Sequence, residues 1–395
     1  MSFQARKNYR SELKEIDWDF TGAHGNEGFA AYHWYPARYV PQLPGILINY
    51  FSGPGDLVLD PFCGSATTLI EAFKFGRRAI GIDLHPIAVL IAQAKLTNYD
   101  EASFLLYLTE IVNQASILTS DASLLRSKDE KQLITPHFEQ NSLWYAQDTL
   151  HELACIWTVL QTNKDSIYLP VGQAAFSAIL RGCCSQQKHW GWICDNVKPS
   201  ELAYRPALSR FKDKLQEFRI TASNLHTEAA ELQETSLPVS EIRVVQGDCR
   251  EALQQYQEQT VDLVVTSPPY FSMTDYMNSQ RLSLLWFEND LEELRPKEIG
   301  ARYKRFRKDP LTEYLRNMKE AFQEIQRVLK EGHYCCVVIG ESPMHKPFLG
   351  ALEQVWQEIG LQLEDCLSRK IAKKRSLSPV LYDESIYILK RVSHE

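Results

Sequence analysis

The stretch "TSPPY", Thr266 to Tyr270, follows directly on the apolar run "VDLVV". Proline carries no amide proton, so two in succession at the end of a buried strand remove two donors and leave carbonyls behind. Held in a rigid turn, such a carbonyl is a preorganised acceptor, and the Ser267 hydroxyl supplies a second one beside it. Acceptors at that spacing suit an exocyclic amino group on an aromatic base. Its lone pair is delocalised into the ring, and accepting its hydrogens draws the nitrogen towards tetrahedral geometry and localises that pair. The ring of Tyr270 offers a platform on which a base taken out of a duplex can stack. Alone, a Pro-Pro turn is more often plain punctuation at the end of a strand, so the companions of this motif decide its meaning.

A second constellation reads "DPFCGSATT", from Asp60. An acid, a glycine turn and a helix start are what a nucleoside ligand needs: Gly64 lets backbone come close, and the first helical amides offer donors. Asp83, in "GIDLHP", falls about twenty residues beyond the turn, where a strand-end carboxylate accepts ribose hydroxyls. A dinucleotide fold would carry Gly-x-Gly-x-x-Gly, and a P-loop would carry Gly-Lys-Ser/Thr. Here Gly64-Ser65-Ala66-Thr67-Thr68 has neither. S-adenosylmethionine, an adenosine cofactor without phosphates, is the one that remains.

These residues need strands that end at one edge. "GDLVLDPF", "RRAIGIDL", "IRVVQGD", "VDLVVTSP" and "HYCCVVIG" read as buried strands, with helical patterns between them in "SATTLIEAFKFG", "HPIAVLIAQAKL", "CREALQQY", Ser279–Phe287 and Thr312–Leu329. A helix over Phe348–Ile359 leads to two last strands, "LQLEDCLSRKI" and "ESIYILKR". That rhythm predicts an α/β fold with a mostly parallel sheet. From Tyr99 to Ser240 the strand pattern gives way to helices, so the sheet is interrupted by a helical insert. The segments are 1–100 with the first half of the sheet, 101–240 as insert and candidate target-recognition region, and 241–395 with the second half and "TSPPY". Within the insert Leu208, Phe211, Leu215, Phe218, Ala222, Leu225, Ala229 and Leu232 form a seam with steps of three and four. Packing inside the insert is the favoured reading of that seam; a homodimer joined through 208–232 is the alternative.

The 395 residues are 44% hydrophobic and 24% charged, as in ordinary globular chains. The first twenty residues lack the apolar core of a secretory signal, and no apolar run approaches the ~18 residues that span a bilayer. Nine cysteines without framework spacing indicate reduced thiols and a cytoplasmic location. Cys184, His189 and Cys194 lack the Cys-x-x-Cys pair that would anchor a metal, so none is expected. The net charge of −7 argues against a wholly basic nucleic-acid binder, but its distribution is uneven. "RPKEIGARYKRFRK" has seven bases to one acid and "RKIAKKR" has five to none. Arg302, Lys304, Arg305, Arg307, Lys373 and Lys374 are therefore the candidate phosphate contacts of a phosphate-facing groove.

"TSPPY" after an apolar strand, with "DPFCGSATT" upstream, resembles the DNA methyltransferases that modify cytosine N4 or adenine N6. "HWYPARYVPQLPGILI", from His33, looks like that family's N-terminal cofactor motif. The similarity covers about Tyr32–Leu96 and Ile242–Arg391. It implies a Rossmann-like methyltransferase sheet of seven strands whose last hairpin is antiparallel. It also implies that His33, Tyr35, Pro36, Asp60, Phe62, Gly64, Asp83 and Asp248 hold S-adenosylmethionine, and that Ser267, Pro268, Pro269 and Tyr270 form the amino-group pocket. Two departures stand out: Ala66 occupies the place of the family's usual second glycine, and the insert lies ahead of "VVQGD". Ser267, where the family also uses Asp or Asn, leans by resemblance towards cytosine N4. Adenine N6, an RNA substrate and a non-catalytic DNA-binding relative are the alternatives. Methylation at cytosine C5 needs a cysteine nucleophile, typically after proline, and the chain has no Pro-Cys pair.

Overall fold

The computed structural model describes residues 9–21, 28–36, 38–121, 133–186, 199–232, 237–341, 346–370 and 383–392. Lys373, Lys374, His189 and Cys194 lie outside them. In chain order, helix α1 (Gln42–Phe51) precedes strand β1 (Leu57–Asp60), α2 (Thr67–Lys74), β2 (Arg78–Asp83) and α3 (Pro86–Lys95). The insert contributes α4 (Glu101–Ser120), α5 (Gln147–Thr162), α6 (Leu169–Cys183) and α7 (Ala207–Leu232). The alternation resumes with β3 (Ile242–Gln246), β4 (Val261–Thr266), α8 (Pro310–Val328), β5 (Leu329–Glu341), α9 (Lys346–Glu358), β6 (Leu361–Lys370) and β7 (Asp383–Arg391).

The strands form one seven-stranded sheet in the order β3-β2-β1-β4-β5-β7-β6. β1 pairs parallel with β2 and β4, β2 with β3, and β4 with β5. β7 runs antiparallel between β5 and β6. Every residue of β4 is buried, as befits a strand flanked on both sides and covered on both faces. Chain order reverses between β1 and β4, and ligands of open α/β sheets bind in the crevice at such a point. Asp60 ends β1 and Thr266 ends β4, so the two motifs meet there.

Sequence expectation and structure differ in length at two elements. The strand read from "HYCCVVIG" starts at Leu329, which pairs with Val261. "CREALQQY" makes one α-turn, 249–252, and continues as a 3₁₀ turn over 253–255.

The seam of α7 is an internal one. Phe211, Leu215, Phe218, Ala222, Leu225 and Ala229 are buried against α6, α4 and α2. Phe218 sits among the rings of Phe29, Tyr32, Tyr99 and Phe104, 5.1–6.2 Å between centroids. Most of the apolar face is thus covered inside the chain, the reading favoured from the sequence, while Leu232 at its end stays exposed. The insert is joined to the sheet in the same way: α6 packs on α3, and one continuous core contains residues of both. No helix among the described residues is long and apolar enough to cross a membrane.

Candidate active site

Asp60 is the hub of the site. Its side chain is 2% exposed and accepts four hydrogen bonds. Thr266 Oγ1 and the Phe62 amide donate to Oδ1 (2.7 and 3.2 Å), and Thr68 Oγ1 and Tyr39 Oη to Oδ2 (2.5 and 3.3 Å). One carboxylate therefore ties the end of β1 to the end of β4, to the first turn of α2 and to the N-terminal segment. Burial pushes its pKa up to about 6, although the donors from Thr68, Thr266 and Phe62 pull the other way.

The turn after β1 is built around two left-handed residues. Gly64 has φ 48°, and a Cβ there would lie 3.4 Å from the Tyr35 ring, so glycine answers both the backbone and the close approach. Ala66 has φ 70° and ψ 31°. The family's second glycine thus corresponds to a position that needs left-handed backbone, and this chain meets it with alanine at a cost of about 1–2 kcal/mol. Lys95, buried on α3, secures the turn by donating from Nζ to the Ser65 carbonyl (2.8 Å). Asp83 Oδ2 accepts from the Gly64 amide (2.8 Å) and Oδ1 from the His85 amide (2.8 Å). Burial again raises the carboxyl, to about 6.

Across the crevice, the Ser267 hydroxyl donates to Tyr270 Oη (3.2 Å), and that hydroxyl donates in turn to Glu384 Oε1 (2.9 Å) at the start of β7. Arg369 on β6 lies 3.3 Å from the other Glu384 oxygen. With its proton committed, the Ser267 oxygen has only lone pairs to present. The Pro269 carbonyl accepts from Tyr314 Oη (3.0 Å). No group among the described residues donates to the Pro268 carbonyl.

Between the two turns lies a cleft open to solvent. Tyr35, Pro36, Asp60, Phe62, Gly64, Asp83, Asp248, Ser267 and Pro269 line it, so most of the residues singled out in the sequence converge on one cavity. Three do not. His33 is buried elsewhere: Nε2 is 2.8 Å from Ser177 Oγ and Nδ1 is 2.8 Å from the Trp34 carbonyl, which staples the N-terminal segment to α6. It does not line the cleft. Desolvation drives its pKa down to about 3, so the ring is neutral. Pro268 and Tyr270 stand behind the cleft wall; Tyr270 is 8% exposed and belongs to the core. Asp248 faces the cleft with its carboxylate held by Arg250, whose Nε donates to it at 2.9 Å.

Sequence reading missed Thr266, Tyr39 and Glu298. Glu298 is 4% exposed, lines the cleft and accepts from the Tyr276 amide through Oε1 (2.6 Å). Its Oε2 meets no donor among the described residues. Burial pushes this carboxyl up to about 8. The only prior signal for it was a lone acid inside a basic run.

The basic segment divides as well. Lys304 is buried, donates to the Pro296 carbonyl (2.8 Å) and lies 3.6 Å from Glu313. Its ammonium is thus turned into the fold rather than towards solvent. Arg307 is paired to the same Glu313. Arg302 and Arg305 have no ion-pair partner among the described residues.

A parallel sheet with its crevice at the β1/β4 switch, an Asp-Pro-Phe turn and an acceptor-only Pro-Pro turn define an α/β group-transfer enzyme. The model of the N6/N4 DNA methylases matches residues 2–94 and 261–382, more than half of the chain, and the chain belongs to that family. Type II methyltransferase M.MjaII of Methanocaldococcus jannaschii is 21% identical over 98% of this chain and 86% of its own. Type II methyltransferase M.BsoBI of Geobacillus stearothermophilus is 27% identical over 70% of this chain and 57% of its own. A putative DNA modification methylase of Thermus thermophilus, solved with S-adenosyl-L-methionine, overlaps 38% of this chain and 55% of its own, with a TM-score of 0.24 and 18% identity.

The cofactor of the family is S-adenosylmethionine, and the cleft fits it. Gly64 leaves backbone open at the turn, Asp83 ends β2 where ribose hydroxyls are accepted, and the carboxylates of Asp60 and Asp83 suit a ligand carrying positive charge.

Proposed function

We propose that this chain methylates the exocyclic N4 of cytosine in duplex DNA at a specific site, on a base swung out of the helix. The observation that carries the reading is the committed Ser267 proton. Because Ser267 Oγ donates to Tyr270 and Tyr270 to Glu384, the serine oxygen meets the cleft as a neutral acceptor, beside Pro269 in the cleft wall. An acceptor there can take a hydrogen of an amino group and so help to localise the nitrogen lone pair. A hydroxyl supplies this without a charge, which agrees with the family's use of serine in cytosine-N4 enzymes.

Residues Tyr35, Pro36, Phe62, Gly64, Asp83 and Asp248 would hold the cofactor, and Asp60 would keep that half of the site in register with Ser267. Bound there, S-adenosylmethionine supplies an electrophilic methyl carbon. Tyr270 acts in this reading mainly through its hydroxyl, which orients Ser267; its ring is the floor beneath the pocket. Arg302 and Arg305 would meet phosphates. Service as the modification partner of a nuclease, as the relatives' Type II names suggest, belongs to the same proposal.

The test is methyl transfer from labelled S-adenosylmethionine into mixed-sequence duplex DNA, followed by mass analysis of the nucleosides. N4-methylcytosine is expected. N6-methyladenine would keep the pocket and overturn the base assignment. Cofactor binding without any product on DNA would overturn the substrate.

A further inference from the structure

Phe306 is the most exposed large apolar side chain among the described residues, at 80% of its full surface. A single exposed apolar residue needs no explanation by itself. Its placement does. Phe306 closes the 3₁₀ turn Arg302–Phe306, and that turn is bolted to the segment following the Pro-Pro motif. The Ser272 amide donates to the Gly300 carbonyl (2.8 Å), the Arg302 amide to the Thr274 carbonyl (3.2 Å) and the Tyr303 amide to Asp275 Oδ1 (2.9 Å). Arg305 and Tyr314 wall one small cavity with Phe271, and Tyr314 reaches the Pro269 carbonyl. A short, rigid path therefore runs from the amino-group pocket to an aromatic ring standing in solvent.

The charges around that ring indicate what it meets. Arg305 places its guanidinium 4.5 Å from the ring centroid. Arg302, Arg305 and Lys308 have no ion-pair partner among the described residues, whereas the buried Lys304 and the exposed Arg307 share Glu313. An aromatic ring flanked by unpaired cations is complementary to stacked bases between phosphates. It is poorly suited to a second copy of this chain, which would bring the same cations against themselves.

We infer that Phe306 is a wedge that enters the base stack beside the target nucleotide and holds the duplex open while the base occupies the cleft. This rests on the DNA methylation reading above. Extrusion costs a few kcal/mol of lost stacking and pairing, least when the base is already unpaired. A ring that replaces the lost stacking offsets part of that cost. Its removal should therefore weigh on paired DNA and spare unpaired DNA.

The experiment uses the full chain and a duplex carrying the site identified by the methylation assay, made in two forms: fully paired, and with an abasic position opposite the target base. Phe306→Ala is expected to lose roughly thirtyfold in kcat/KM on the paired duplex, equivalent to ~2 kcal/mol, and to stay within about threefold of the parent on the abasic form. Phe306→Trp, which keeps a stacking ring, should retain activity on both. In parallel, 2-aminopurine beside the target should brighten with the parent and with the tryptophan variant, but not with alanine. Equal activity of alanine variant and parent on paired DNA would overturn the wedge. So would an equal loss on both duplexes, which would make Phe306 an ordinary contact. A concentration-dependent dimer that Phe306→Ala abolishes would assign the ring to a second copy instead. Failure of the parent to methylate any DNA would sink the parent reading and is told apart from all of these.

Discussion

The turn after β1 and the turn after β4 face each other across one crevice and are made by opposite means. The first is a donor turn. Its backbone amides point at carboxylates, Gly64 to Asp83 and Phe62 to Asp60, and it depends on residues willing to take left-handed backbone. The second is an acceptor turn. Two prolines have no amides to give, and the one hydroxyl in it has its proton drawn away through Tyr270 to Glu384. Asp60 is the hinge between them, because Thr266 donates to the carboxylate that also anchors the first turn. The cleft thereby lies between a turn whose amides are tied to carboxylates and a turn that has few amides to tie.

The most damaging change should be the removal of that hinge. Asp60→Ala leaves the hydroxyls of Thr68, Thr266 and Tyr39 and the Phe62 amide short of an acceptor in a buried place. A loss of about 3 kcal/mol or more in unfolding free energy is expected, with both cofactor binding and turnover failing; denaturant unfolding and cofactor titration check it. If only turnover fails, the two turns are independent and the hinge idea is wrong.

Next in size is Tyr270→Phe, which keeps the ring and frees the Ser267 proton to point into the cleft. A fall in kcat of about thirtyfold is expected with KM for S-adenosylmethionine unchanged, on the scale of losing one preorganised polar contact. Glu384→Gln, which retains an oxygen to accept from Tyr270, should recover much of the activity that Glu384→Leu loses. Equal activity of Tyr270→Phe and the parent in steady-state assays would show that the serine proton needs no guidance.

A subtler comparison concerns the carboxyl that neither turn uses. Glu298 sits at about 8 in the fold against about 4.5 in an unfolded chain. The fold therefore binds the extra proton. Its contribution to stability is complete below pH 4.5 and is lost as pH rises through 8. Glu298→Gln cannot titrate, so it should gain on the parent across that window, by on the order of 4 kcal/mol at pH 8. Taking the difference between variant and parent cancels the opposing pull of His33, His85 and Lys95, whose burial lowers their pKa values. Parallel stability curves from pH 5 to 9 would show that Glu298 is not held protonated.

The smallest effect belongs to Ala66→Gly. Glycine relieves about 1 kcal/mol of left-handed strain and surrenders a buried methyl and some chain stiffness worth about as much. Net stability should stay within about 0.5 kcal/mol by thermal unfolding, with cofactor affinity unchanged. A large change in affinity would mean that the methyl itself shapes the donor turn.

Much of this was legible in the chain. The strands announced themselves as short runs of Val, Ile and Leu ending in Asp or Thr, and the motifs at their ends carry their own chemistry. What escaped was whatever depends on a partner far along the chain. Thr266 reads as the last strand residue until Asp60, 206 positions earlier, is seen to accept from it. Lys304 reads as one more surface cation until Glu313 and the Pro296 carbonyl enclose it. His33 sits inside a matching motif, yet Ser177 from the insert claims its ring. The seam of α7 shows the limit of periodicity: it identified the apolar face correctly and was silent on which helices cover it.

The last strand carries a consequence for the making of the protein. Glu384 opens β7, and β7 slots between β5 and β6 rather than adding to an edge. While the ribosome works between β4 and residue 384, the Pro-Pro turn can exist with Tyr270 still lacking its acceptor. A nascent chain can thus own a complete cofactor half and every residue of the catalytic motif, yet have an unguided Ser267. The group that guides Ser267 is thus the last part of that relay to be made.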